Sequence, residues 1–243
     1  MSTIIVKINF FGPFLKNEEI PKILDTKFSS TIFEFQANLL KEFFELPLSA
    51  LSKPILERYI EATTEDSHLS VVPHTEEIFE RLLKPLRSAK KCYCLGDYAA
   101  TIALGGIVGE MLAILLWKIN DVRFKGNSIL EQDEVGLFGT SFEKLGQDRR
   151  LKILKTFSYI NENQLINFEA IRLNRKPYLH LWTADLANEQ ADALNVFKKS
   201  FLLFKQITGI GLADAGTVKI NPLLLKLFEN QKSNSEEMHE THN

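Results

Sequence analysis

Between Ala99 and Trp117 the chain runs for 19 residues with one charge, Glu110. About 20 apolar residues in helical form are enough to cross a bilayer. The segment therefore belongs either in a membrane or at the centre of a helical bundle whose other members cover every face. A carboxylate near the middle of a membrane span costs a few kcal/mol of insertion energy. Basic residues stand on both sides, Arg87, Lys90 and Lys91 before and Lys118, Arg123 and Lys125 after, and they set no orientation across a membrane. Both observations favour the buried helix of a soluble bundle over a membrane-anchored protein. Helical spacing aligns Ala103, Gly106, Glu110 and Ala113, a small-residue stripe where a neighbouring helix can approach closely and Glu110 can meet a basic partner.

The composition fits a globular chain, with 45% hydrophobic residues, 25% charged residues and a net charge of −2 over 243 residues. Disordered, collagen-like and disulfide-scaffold classes are excluded. The two cysteines, Cys92 and Cys94, sit two apart. They make neither a disulfide framework nor a zinc site and read as reduced thiols on a helix. The first residues lack the basic region, apolar core and cleavage site of a signal peptide, which predicts a cytoplasmic location.

Around the apolar run the chain divides into four parts. Residues 1–72 read as a mixed α/β appendage, with a strand from Thr3 to Phe10, a helix from Ser52 to Ala62 and a weaker strand from Ser67 to Val72. Thr75, as an N-cap ahead of Glu76 and Glu77, opens an antiparallel helix pair that turns at Leu95-Gly96-Asp97 and ends near Asn120. A polar loop with Gly126, Asn127 and Gly136 follows. Thr140-x-x-Glu143 then reads as a capping box for a helix through about Tyr159. Asn161-x-x-Gln164 starts another, which Pro177 should end by Lys176. From Asn188 a further amphipathic helix runs to Gly209 and Gly211. Thr217 to Asn221 is a possible strand; its Val-Lys-Ile-Asn matches Val6–Asn9 by chance, and pairing of the two ends of the chain in one small sheet is one arrangement open to it. The bundle thus occupies 73–210, a segment at 211–229 packs back, and 230–243 is a solvated tail.

Charge is unevenly spread although the total is near zero. Acids dominate from Glu57 to Glu80, whereas Lys144 to His180 holds eight Lys/Arg against three acids. A local basic face can gather a polyanion without a basic protein. No Gly-rich phosphate loop, HExxH, Gly-x-Ser-x-Gly or paired metal ligands occur in the chain, and no cofactor is implied. His68, His74, His239 and His242 lie in acidic or polar terminal stretches and read as exposed. What remains is the run from Ile171 to Trp182, in which Arg172 stands one turn before Arg175 and four residues separate Arg175 from His180. Histidine moves a proton near neutral pH, and a guanidinium holds two phosphate oxygens and offsets developing charge. In RNA the adjacent 2′-OH supplies the nucleophile, so such a pair needs no metal.

The helix pair Lys84-Pro-Leu-Arg-Ser-Ala-Lys-Lys-Cys-Tyr-Cys-Leu-Gly-Asp-Tyr-Ala-Ala-Thr-Ile-Ala-Leu-Gly-Gly-Ile-Val-Gly-Glu-Met-Leu resembles the first two helices of the HEPN superfamily, particularly its uncharacterised bacterial branch. Phe142-Glu-Lys-Leu-Gly-Gln, then Leu154-Lys-Thr-Phe-Ser-Tyr-Ile-Asn-Glu-Asn-Gln-Leu, then Ile171-Arg-x-x-Arg-x-x-x-x-His180 are similar to that branch's second half in the same order. The resemblance covers about residues 75 to 208. It implies a mainly α protein, an up-and-down HEPN-like bundle carrying the smaller N-terminal appendage. It also implies a homodimer that joins the Arg and His of both protomers in one cleft. Active members are metal-independent ribonucleases of toxin–antitoxin and anti-phage systems, so RNA and an antitoxin or defence partner protein are the implied partners. In that reading Arg175 grips the scissile phosphate and His180 acts on the 2′-OH or the leaving oxygen. Glu110, Arg172 and Lys176 support them, with Glu110 orienting an arginine. Three positions depart from the pattern: Lys176 stands where a polar residue, often Asn, is usual, Pro177 lies inside the motif, and Trp182 replaces a regulatory tyrosine. The alternative is a non-catalytic binding or assembly module, for protein or nucleotide sensing, on the same fold.

Overall fold

The computed structural model describes residues 6–25, 30–63, 71–73, 78–120, 123–124, 127–178, 186–212, 218–227 and 229. Among them the chain is mainly helical, and strand is confined to three antiparallel ribbons with two or three residues in each strand. The helices are α1 (Ile20–Leu24), α2 (Thr31–Phe44), α3 (Lys53–Ala62), α4 (Lys84–Leu95), α5 (Tyr98–Ile119), α6 (Glu131–Phe138), α7 (Gln147–Thr156), α8 (Glu162–Tyr178) and α9 (Glu189–Thr208). A short helix at 222–227 follows and sets Leu224 into the core.

The apolar run is α5, and its neighbours bury it. It has a mean hydropathy of 2.0 and is long and apolar enough to cross a membrane, yet 61% of that window lies inside the bundle. Asp97 caps it by accepting from the Ala100 N–H at 3.1 Å, after Gly96 turns the chain at φ 89°. α4, α5, α8 and α9 run up, down, up and down. Gly109 lies against Ile171 and Gly106 against Arg175. Asn167 accepts from Lys199 and Asp192 from Tyr178, so α8 is antiparallel to both α5 and α9. Gly105 faces Val196, and the Ser200 hydroxyl donates to the Gly105 carbonyl at 3.1 Å. The small-residue stripe expected from the sequence is thus occupied at Gly106, Glu110 and Ala113, while Ala103 stays exposed.

An α/β appendage at the N-terminus is not supported among the described residues. The strand Val6–Ile8 (β1) pairs only with Val71–Pro73 (β2), and the rest of the region's described length is helical or turn. α1, α2 and α3 close a second apolar core of their own around Ile23, Leu40, Phe43, Leu56 and Tyr59, and Cys94 of α4 completes it. α4 is therefore shared between the two cores. Arg58 Nε donates to the Cys94 carbonyl at 2.8 Å, Arg87 to the carbonyls of Glu42 and Phe43 at 2.6 and 3.1 Å, and Tyr93 to Glu61 at 2.6 Å.

Four further expectations shift. The helix expected from Thr140 begins at Gln147, because Phe142–Lys144 forms a separate 3-10 turn and Gly146 becomes the N-cap. The polar loop contains a ribbon, Arg123–Phe124 (β3) with Asn127–Ser128 (β4), and then α6. Glu134 of α6 is buried, accepting from the Trp117 indole at 2.5 Å and the Phe142 N–H at 2.6 Å. α8 passes Lys176 and includes Pro177. The proline lacks only the N–H owed to the Leu173 carbonyl, and the bond from Tyr178 to Asp192 at 2.9 Å holds the last turn. Val218–Lys219 (β6) pairs with Gly211–Leu212 (β5) and not with β1, so among the described residues the two ends do not share a sheet. The helix begins at Asn161-x-x-Gln164 as expected, and the two residues cap it reciprocally at 3.0 and 2.9 Å. The Thr75 cap, Ser67 and the segment 230–243 lie outside the described residues.

Between the two cores Lys90 is 2% exposed. Its Nζ donates to the Phe11 carbonyl at 2.9 Å and lies 3.9 Å from the Tyr59 ring centroid and 5.3 Å from that of Phe43. Burial pushes its ammonium down to about 7, against a smaller opposing effect of Cys94. A lysine whose folded value lies below its unfolded one binds its proton more tightly in the unfolded chain. Its contribution to stability therefore rises with pH from about 7 upward. Above about pH 8.5 the buried Cys94 thiol, itself pushed up to about 12, acts in the opposite direction. Lys90→Met keeps the volume and removes the ammonium, and the lost bond to the Phe11 carbonyl is a cost that does not vary with pH. In urea unfolding the native protein should gain on Lys90→Met by about 0.7 kcal/mol per pH unit at pH 7, rising to about 1.4 near pH 8.5. Parallel stability curves for the two proteins would show that Lys90 does not titrate there.

Candidate functional site

Where α5, α7 and α8 meet, an open cleft of about 330 Å³ is lined by Gly106, Gly109, Glu110, Gln147, Asp148, Phe168, Ile171, Arg172, Arg175 and Lys176 among others. Four of the five residues singled out in the sequence therefore share one surface: Glu110, Arg172, Arg175 and Lys176. The fifth, His180, lies outside the described residues, as do the other four histidines and Trp182.

Glycine makes the arrangement possible. The Arg175 stem crosses α5 so closely that a Cβ on Gly106 would sit 2.3 Å from Arg175 Cδ and 2.9 Å from its Nε. A Cβ on Gly109 would lie 3.2 Å from Ile171 Cγ2. Having crossed the helix, the guanidinium donates to Glu110 Oε1 through NH1. Among the described residues its Nε is buried and has no acceptor. One face of the cation is thus bound and the stem is desolvated, while the side chain keeps 25% of its exposure.

A second arginine backs the same carboxylate. Arg150 of α7 comes within 4.0 Å of Glu110 Oε2, with 8% of its side chain exposed. It donates to the carbonyls of Phe142, at 3.2 Å, and Glu143, and to Gln147 Oε1 at 3.3 Å. Burial pushes its guanidinium down, opposed by the charges of Glu110 and Glu143. Gln147 in turn donates to the Gly109 carbonyl at 3.3 Å, tying the start of α7 to α5. Arg172 is held by Glu169 at 2.8 and 2.6 Å on its own helix. Asp148 is bonded to Lys152 at 2.8 Å, and that bond holds its carboxyl below the usual range. Lys176 is exposed.

No sequence motif marks Arg150 or Gln147 as part of the cleft. A signal existed, since Arg150 precedes Leu151 and Leu154 on the apolar face of α7, all three buried. A charge at such a position has to be partnered inside the protein. Chemically the cleft offers three cations against two carboxylates, with an apolar floor beneath them. It suits a ligand that carries negative charge next to a non-polar part. Comparison with known proteins finds no matching family model, no matching curated protein and no matching solved structure.

The neighbouring glycines separate fold from site. At Gly105 a Cβ would lie 2.5 Å from Val196 Cγ1, a short β-branched side chain packed in the core. Gly105→Ala should lower stability by about 1–3 kcal/mol in thermal or denaturant unfolding. Gly106→Ala meets the flexible end of Arg175, so it should cost less than half as much while breaking the Arg175–Glu110 pair. Equal losses of stability in the two variants would contradict this division.

Proposed function

We propose that the chain is a metal-independent endoribonuclease, with Arg175 holding the scissile phosphate and His180 moving the proton. The observation that carries this reading is the gathering of Arg172, Arg175, Lys176 and Glu110 on one open cleft. The order of segments that resemble the HEPN superfamily supports it, and with it a role in bacterial toxin or anti-phage defence and a location in the cytoplasm. In the reaction the 2′-OH gives its proton to a base and attacks the adjacent phosphorus. The P–O5′ bond breaks, and the products are a 2′,3′-cyclic phosphate and a 5′-OH. The guanidinium of Arg175 offsets charge on the non-bridging oxygens as the fifth bond forms. In this reading His180, five residues beyond Arg175 in the sequence, serves the 2′-OH or the leaving oxygen. A second copy of the chain would supply the other proton-transfer group.

A specific observation favours a second reading, a non-catalytic binding module. Arg175 is already engaged by Glu110, as a bundle clamp would be. The two readings separate on single-stranded RNA incubated with purified protein in EDTA. The enzyme reading expects cleavage with cyclic-phosphate ends, lost by about 10²-fold or more in Arg175→Ala and in His180→Ala, with circular dichroism unchanged. Full activity in either folded variant removes that residue from the mechanism, and no cleavage by the native protein leaves the binding module.

A further inference from the structure

We infer that Arg150 is a positioning residue for Arg175: it keeps Glu110 neutralised, so that Arg175 can leave Glu110 for the phosphate of an incoming strand. This rests on the reading of the cleft as a phosphodiester site.

Glu110 has two oxygens and two arginines. Oε1 accepts from Arg175, and Oε2 faces Arg150 at 4.0 Å. The arginines are not equivalent. Arg150 is fixed, 8% exposed and bonded to two backbone carbonyls of the 142–144 turn. Arg175 is 25% exposed, lies across a glycine and has an Nε with no acceptor among the described residues. Of the two, Arg175 is the one free to move. If Glu110 had Arg175 alone, moving it to a ligand would strand a carboxylate that is only 34% exposed, a costly state for a partly buried charge. With Arg150 behind it, Glu110 keeps a counter-charge when Arg175 departs. The charge balance fits the ligand class of the proposed reaction. Two guanidiniums and one carboxylate leave a single positive charge, which one phosphodiester monoanion cancels.

A merely structural Arg150 would staple the 142–144 turn and do nothing else. The experiment measures fluorescence anisotropy of a labelled, fully 2′-O-methylated single-stranded RNA in EDTA, which can bind but cannot be cleaved. Arg150→Gln should weaken binding about tenfold, and the double variant Arg150→Gln/Glu110→Gln should recover to within about threefold of the native protein. Arg150→Lys keeps the charge and loses the fork of hydrogen bonds. It should bind within about threefold of native even where its Tm falls. Native-like binding by Arg150→Gln, or a double variant as weak as Arg150→Gln, overturns the inference. Should Arg150→Gln fail to fold, Arg150→Lys decides, with binding within about threefold of native expected and a loss of about tenfold fatal. A second measurement does not depend on RNA: the Arg175 Nε–H resonance, identified by its loss in Arg175→Lys, is followed during pyrophosphate titration. The expected result is a shift that needs about tenfold more pyrophosphate in Arg150→Gln. No shift, or the same midpoint in both proteins, overturns the inference. If native protein binds no RNA but pyrophosphate gives the expected pair of curves, the ribonuclease reading falls and the role of Arg150 stands.

Discussion

Three positions on α5 carry no side chain, and what lies against them sets the architecture. Val196 meets Gly105, Arg175 meets Gly106 and Ile171 meets Gly109, so α8 and α9 both press onto the backbone of one helix. Each glycine within a helix costs about 1 kcal/mol relative to alanine. α5 therefore gains its stability from neighbours rather than from intrinsic propensity. The same closeness brings an arginine stem across the helix and delivers its charge to the carboxylate on the next turn. Packing and site are consequences of one local absence of volume.

The two cores show how the N-terminal region joins this arrangement. α4 turns Leu86, Ala89 and Tyr93 to the bundle and Cys94 to the helices before it. The polar groups between the cores, Arg58, Arg87, Lys90 and Tyr93, bond across the boundary mostly to backbone carbonyls. Such bonds are directional where apolar contacts are not. They fix how α1, α2 and α3 sit on α4, while the apolar residues supply most of the free energy.

Much of this was legible in the sequence where one local signal decides the outcome. The 19-residue apolar run could only be a covered helix or a membrane span. Asp97 and the Asn161/Gln164 pair are caps whose bonds form within three residues. Glu110 stood out as the single charge in that run, and its meeting with a basic residue followed from helical spacing. Elements decided by long-range contacts were harder to read. The N-terminal stretch looked mixed because Phe, Ile and Leu stand in short clusters, and only packing against Cys94 and within its own core makes it helical. Thr140 and Glu143 form a sound capping pattern, yet Arg150 bonds to the carbonyls of Phe142 and Glu143 and keeps that turn separate from α7. α6 is amphipathic over too few residues to announce itself, and the buried Glu134 that anchors it looks from the sequence like any surface acid. At the cleft the α8 residues were visible because they cluster in one run. Arg150 was not, since its significance depends on a helix 40 residues earlier in the chain.

The burial of α5 also has an order in time. The helix ends at Ile119, but α8 and α9, which cover its glycine face, end at Tyr178 and Thr208. A chain made at about 5–20 residues per second completes that cover several seconds after α5 has emerged. At the start of that interval the nascent protein displays a segment with the hydropathy of a membrane span, with only α4 and the helices before it available to shield it until α6, α7 and α8 follow. The fold that buries most of this helix at equilibrium therefore leaves its glycine face open for part of synthesis, when chaperones and the membrane-insertion machinery can compete for it.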